Sequence, residues 1–207
     1  MTTEAEPGDR APRSADRDFP LASGSEPLLA PTMPEWLQAQ MFERRVVLLS
    51  GRLDDLLATA VATQLMTLDG SGDEGIQLHL NSAEGTLTAA LTLMDTISAL
   101  GVPVEAICTG RAKGPALGVL AVASRRLAAP HSSLRLHDPG LATEGTGDAL
   151  SQALEQHRLQ VDRFIEVVAG ATRQPAERVE VDLSSGRHFD AQEALDYRLV
   201  DALWTKS

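Results

Sequence analysis

The sequence predicts an α/β domain built on a mainly parallel sheet, and three observations carry that expectation. Apolar runs of strand length alternate with helix-periodic segments, Gly-, Ser- and Asp-rich clusters punctuate them, and the core is supplied by Leu, Val and Ala: 43% of residues are hydrophobic but only 3% aromatic. Strands alternating with helices are joined by right-handed crossovers, which leaves neighbouring strands parallel. A length of 207 residues suits one domain plus a tail.

The tail comes first. Residues 1–32 are rich in Pro, Gly, Ser and charge without clustered apolar residues, so they are expected to be disordered, or to order only on a partner. The domain is expected over 33–207. Val46 to Leu49 is a continuous apolar run, read as a strand buried on both faces. "LDDLLATAVATQLMTLD" carries Leu53, Leu56, Leu57, Ala60, Val61, Leu65 and Leu68 at helical spacing. After the turn "SGDEG", the segment "IQLHL" alternates Ile76, Leu78 and Leu80 inward as a strand. "TLTAALTLMDTISAL" is a helix, "VPVEAIC" a strand and "ALGVLAVAS" a small-residue helix fit for burial. "RRLAA" and "SSLRLH" are short strands.

The last third changes character. "DPGLATEGTG" is an extended Gly/Thr segment, and "TGDALSQALEQHRLQVDRFIEVVAGAT" a long helix with Leu150, Leu154, Leu159, Val161, Phe164, Ile165 and Val168 as its apolar positions. A helix of this kind projecting from an α/β body usually docks on something, and a second subunit is the natural candidate. "PAERVEVDL" and "DAQEALDYRLVDAL" open with proline and aspartate start signals and read as short helices.

Composition removes several function classes. A formal charge of −11 argues against nucleic acid or anionic membrane as the main partner. The lone Cys108 excludes an internal disulfide and any cysteine-based zinc site. No apolar stretch approaches the ~20 residues of a membrane span, and the N-terminus has no secretory core. A cytoplasmic protein is the expectation. His79, His131, His157 and His188 show no metal-ligand spacing, so neither metal nor cofactor is expected. Trp36 and Trp204 are read as packing at the ends of the domain.

The chemical question sits in "GRAKGPALG", residues 110 to 118. A Gly-rich turn opening an apolar helix is a common place to present a nucleophilic serine. Here the first helical turn offers Gly114 and Pro115.

The order of elements, together with "FERRVVLLSGRLDD", "LHLNSAEGTLTAALTLMDTI", "LRLHDP" with the Gly/Thr segment after it, and "DAQEALDYRLVDAL", resembles the proteolytic subunit of the ATP-dependent Clp protease over Phe42 to Thr205. The resemblance implies the spiral of repeated crossover units that Clp subunits share with the crotonase group. It also implies a projecting handle at about 140–169, assembly into face-to-face heptameric rings, and peptide hydrolysis by a Ser-His-Asp triad.

Position by position, the resemblance exposes what is missing. The nucleophile of the family's "GQAASMGA"-like segment falls on Gly114, which has no side chain to attack with. The next backbone N–H, an oxyanion donor in the family, falls on Pro115, which has none. The "NSPGG" loop that supplies the other donor is matched by "NSAEG", so Glu84 and Gly85 hold the oxyanion-hole positions and Glu84 brings a negative charge. His137 aligns with the catalytic histidine. The triad aspartate should fall at Gly186 or Arg187, with Asp182 one turn too early. Ser133, read as sharing a strand face with His137, is about 13 Å away at ~3.3 Å per residue. Ser82 reads as loop structure and Lys113 as a solvated turn lysine.

Two further positions bear on partners. Gln77 and His79 stand where the family's unfoldase pocket has aromatics, so an AAA+ unfoldase is expected to dock through a partner rather than on this chain. The reading that accounts for all of this is a non-catalytic subunit homologue in homo- or hetero-oligomeric rings with a catalytic Clp subunit. The alternatives are an active serine endopeptidase in an unrecognised register and a crotonase-like acyl-CoA enzyme, for which Glu84 and Glu144 are the candidate acids.

Overall fold

In the computed structural model, which describes residues 33–140 and 147–205, α1 (Glu35–Glu43) leads into β1 (Val46–Ser50), α2 (Asp55–Asp69), β2 (Ile76–Ser82), α3 (Leu87–Ala99) and β3 (Val104–Lys113). Then come α4 (Pro115–Ala121), β4 (Arg125–Ala128), β5 (Ser133–Arg135), α5 (Asp148–Thr172), α6 (Ala176–Ser185), β6 (His188–Phe189), α7 (Ala191–Asp196) and β7 (Ala202–Leu203). Met33 apart, the described residues belong to one unit, Pro34–Ser207. The disordered-tail expectation and Glu144 lie outside the described residues.

The sheet runs β1-β2-β3-β4-β7 with every neighbour parallel, as the crossover pattern requires. β5 also pairs in parallel with the far end of β3, and β6 pairs antiparallel with β5. Helices α2, α3, α4 and the end of α5 pack in succession on one face. The core between them is aliphatic, with Leu49, Leu65, Leu78, Leu80, Leu93 and Leu117 fully buried. Three helix starts are fixed by side chains: Asp54 and Thr86 accept from the Leu57 and Ala89 N–H groups, and Asp190 forms a reciprocal capping box with Glu193.

Several expectations are corrected. β1 is buried on one face only: Val47 and Leu49 face the helices while Val46 and Leu48 are half-buried. Leu53 lies outside α2, pairing in parallel with Gly85, and Leu56 is 81% exposed. The face α2 buries is Ala58, Val61, Ala62, Leu65 and Leu68. The segment read as a Gly-rich turn from Gly110 is mostly strand. β3 continues through Lys113, and the turn narrows to Gly114. α1 was not anticipated; it buries no side chain, so it has no apolar stripe to read. Trp36 is mainly exposed, and Trp204 lies edge-on to the His79 ring at 5.7 Å.

Candidate active site

Three adjacent strands bring the predicted positions together. Lys113 of β3 is in register with Arg135 of β5, and Arg135 with His188 of β6. The register is carried past the strand ends by two backbone bonds: Gly114 N–H donates to Arg135 O, and Leu136 N–H to Arg187 O, each at 2.9 Å. Extended one step beyond that bond, the same antiparallel register would set His137 across from Gly186, one of the two positions that the resemblance gives to the triad acid.

At the nucleophile position the backbone keeps a strained elbow. Gly114 adopts φ +52°, ψ −122°, a conformation glycine takes freely and L-residues rarely do. The imidazole of His137 fills the space where a side chain would begin. A Cβ built on Gly114 would lie 2.8 Å from His137 Cε1 and 2.9 Å from Nε2. His137 Nδ1 is 2.9 Å from the carbonyl oxygen of Asp138. A carbonyl only accepts, so Nδ1 carries a hydrogen in this contact, and Nε2 lies on the side of Gly114, which has no side-chain proton to give up.

Arg135 lies against Gly186, a position that the resemblance gives to the acid. Gly186 ends α6 at φ +68°, and a Cβ there would lie 2.8 Å from Arg135 Nη2. Arg135 Nε donates to Gly186 O at 3.2 Å. A guanidinium stands where a carboxylate would stabilise an imidazolium.

Asp182 does not substitute. It is only 4% exposed, and its Oδ2 accepts from Tyr197 Oη at 2.8 Å, Arg178 Nε at 3.0 Å and Arg187 Nη1 at 3.0 Å. Arg187 in turn stacks over the Phe189 and Tyr197 rings. Burial first, then the hydrogen bond to Asp182, pushes the Tyr197 hydroxyl well above its ordinary value. The cluster ties α6 to Tyr197 at the end of α7, and the hydrogen bonds of the Asp182 carboxylate are taken up there.

The oxyanion region divides in two. Pro115 is the first residue of α4, buried, and has no N–H; Leu117 N–H, two residues on, is already used by Gly114 O. Across the cleft the "NSAEG" loop is rigid. Ser82 is fully buried and its Oγ donates to Glu84 O, which also accepts from Leu53 N–H. Gly85 passes so close to Leu53 that a Cβ would stand 2.6 Å from the Leu53 carbonyl oxygen. The Glu84 charge expected beside the oxyanion turns outward instead, onto Arg52 at 3.3 Å with both groups largely exposed. The backbone N–H groups of Glu84 and Gly85 donate to no described backbone carbonyl. Of the two positions that the resemblance gives to an oxyanion hole, the loop side thus offers backbone N–H groups and the Pro115 side offers none.

The remaining candidates lie apart. Ser133 belongs to β5, but His137 is past its end, so the two do not share a strand. His157 Nε2 on α5 is 3.8 Å from Asp138 Oδ1. Gln77 projects from β2 with its amide 3.4 Å from Glu105, and Glu105 pairs with Arg125. His79 is half-buried beside them, and desolvation holds its pKa below the usual histidine value against the raising effect of Glu105. Where the resemblance implies an aromatic pocket, this sheet surface carries the polar row Gln77, Glu105 and Arg125, with Trp204 against His79 as its aromatic.

Sequence reasoning missed Arg135. No local pattern marks it, because its importance comes from lying next to a glycine 51 residues away.

A family profile described as Clp protease matches residues 35–207. The chain is also 33% identical over 174 residues to the ATP-dependent Clp protease proteolytic subunit 1 of Corynebacterium glutamicum, an overlap covering 80% of this chain and 82% of that protein.

Proposed function

Because the chain belongs to the Clp protease family, we propose that it is a non-catalytic proteolytic-subunit homologue, assembling into rings with a catalytic Clp subunit and modulating ATP-dependent proteolysis there. One observation carries the reading: the residue at the nucleophile position is Gly114, and the His137 ring is packed against it where a serine Cβ would begin. The proline at 115 and the arginine at the acid position support it independently. Losses at Gly114 and Pro115, where α4 begins, and at Gly186, where α6 ends, are hard to reconcile with a working triad.

Assembly is supported by what the fold retains. Scaffold strands β3, β5 and β6 keep their register, and α5 leaves Leu154 and Leu159 about half exposed. The polar row of Gln77, Glu105 and Arg125 supports docking of an AAA+ unfoldase through the catalytic partner rather than on this chain. A cytoplasmic site of action is part of the same proposal. It is consistent with a free, buried Cys108 and with no helix among the described residues being long and apolar enough to cross a membrane.

The two other readings find less support. A serine peptidase in a different register would need a free hydroxyl at His137, and Ser82 is committed to Glu84 O. A crotonase-like enzyme would need a free carboxylate in the cleft, and Glu84 is paired with Arg52.

The test is native mass spectrometry of the tagged protein, gently purified from its own cells, alongside labelling with a serine-reactive phosphonate. A ring-sized complex in which only a second, serine-bearing Clp subunit takes the label is the expected result. A complex of this chain alone that takes the label overturns the proposal.

A further inference from the structure

A charged cleft lies beside the degenerate triad and takes no part in it. It opens at the carboxyl ends of β1, β2 and β3, the edge of a parallel sheet at which α/β proteins most often bind ligands. Its volume is ≈ 350 Å³, and its polar lining is Ser50, Arg52, Asn81, Glu84 and Arg111. That is the small end of the range for ligand sites, about 300–1,000 Å³, and suits a short group rather than a nucleotide.

The lining is built by a distortion of β3. Leu80 pairs with Cys108, but Ser82 pairs with Ala112, so β3 carries extra residues against Asn81. Gly110 makes the bulge possible, since a Cβ there would stand 2.6 Å from Asn81 Oδ1. That same oxygen accepts the Arg111 N–H at 3.2 Å and locks the bulge. The result is to swing the Arg111 side chain out of the regular pleat and into the cleft opposite Arg52.

The charges do not balance within the cleft. Among the described residues Glu84 is the sole carboxylate in its lining, and it engages Arg52 in a mostly exposed pair. Arg111 has no side-chain hydrogen bond or ion pair among the described residues, although the chain carries 29 acidic residues against 18 basic. An acidic protein that leaves a guanidinium unpaired in a cleft, across from a second one held by a weak internal partner, presents a site for an anion.

We propose that Arg111 and Arg52 form a binding site for a single carboxylate group, with the Glu84 carboxylate as its internal competitor. A planar guanidinium takes a carboxylate in two parallel hydrogen bonds, and two of them facing one cleft can clasp a single group. Ser50 Oγ and the Asn81 amide nitrogen supply further polar contacts along the wall. The site is independent of the subunit-assembly reading and stands or falls on its own test.

The test is isothermal titration calorimetry of the full-length chain at low salt with three blocked-amine pentapeptides. One carries three glutamates and an amidated end, the second three glutamines and a free carboxyl end, and the third three glutamines and an amidated end. Binding by the first locates the recognised carboxylate on side chains, and binding by the second at a chain terminus; either supports the site, provided the third does not bind. Arg111→Gln is expected to weaken binding at least about tenfold, and Glu84→Gln to strengthen it about threefold by freeing Arg52. Both arginine side chains are exposed, so the variants should fold, and circular dichroism checks that they do. Arg52→Gln serves as a second variant should Arg111→Gln fail to fold. Failure of both carboxylate peptides to bind, equal binding of the neutral peptide, or unchanged affinity in Arg111→Gln overturns the inference.

Discussion

Gly114→Ser is the substitution that returns the missing nucleophile, and the structure predicts that by itself it returns almost no activity. The new side chain must adopt φ +52°, ψ −122°, at a cost of about 1–3 kcal/mol for a non-glycine residue. Its Cβ would also lie 2.8–2.9 Å from the His137 ring, so the imidazole must withdraw by a few tenths of an ångström. That movement is feasible for the end of a side chain and places Nε2 near the new hydroxyl. The chemical deficits remain. Absence of the Pro115 donor is worth about 10²–10³ in rate, and absence of a properly placed acid about 10⁴. Taken as independent these give about 10⁶–10⁷, or roughly 8–10 kcal/mol of barrier, although groups acting as a unit are not strictly additive.

The assay is hydrolysis of a short fluorogenic peptide together with serine-reactive labelling, on a series of variants. Gly114→Ser should sit at background, and adding Pro115→Ala should recover about 10²–10³ by restoring an N–H. Adding Gly186→Asp to that pair should yield little more. Arg135 Nη2 stands 2.8 Å from where the new Cβ would be and captures the carboxylate before His137 can; only the further change Arg135→Gln frees it. Brisk hydrolysis by Gly114→Ser alone would refute the oxyanion and acid arguments together.

Three other outcomes follow from the same structure. Burial pushes the Cys108 thiol up to about 11, so at neutral pH the native protein should resist alkylating reagents that modify the unfolded chain readily; fast native labelling would contradict its placement. His79 has its folded pKa below the ordinary value, so its stability contribution is complete above an unfolded pKa of about 6.5 and is lost as pH falls toward the folded one. The slope of melting temperature against pH in that window should flatten in His79→Gln, and an unchanged slope would count against it. Removing the carboxylate in Asp182→Ala leaves Arg187 and the Tyr197 hydroxyl without their buried partner. That should cost about 3–5 kcal/mol, read from denaturant unfolding, whereas a loss below about 1 kcal/mol would show the cluster to be loosely held.

What the sequence disclosed depended on how far apart the interacting residues are. The crossover order, β2 with its inward Ile76, Leu78 and Leu80, and the long α5 were legible because periodicity is local. So was the absence of a serine, since it needs only one position. The choice between Gly186 and Arg187 was not legible. It depends on the loop between α6 and β6, where the bond from Leu136 N–H to Arg187 O sets the local register. The true extent of β3 was hidden by Gly110, whose glycine serves a close approach to Asn81 and not a turn. Glu84 was read with its charge toward the oxyanion, because nothing in the local sequence announces Arg52 as its partner.

Helix α5 has a consequence of another kind. It runs for 25 residues, yet its buried side chains are Phe164, Ile165, Val168 and Thr172, all in the last third. The stretch from Asp148 to Arg163 has only the partial burial of Val161 and the His157–Asp138 contact beyond its own hydrogen bonds to hold it, and a short helix so little packed is marginal in water. Its persistence becomes a matter of mass action: whatever covers Leu154 and Leu159 supplies the free energy that the chain lacks, in proportion to its concentration. Dilution should melt this segment before any other, so that far-ultraviolet ellipticity, ordinarily a measure of folding, would here count the subunits that have found company.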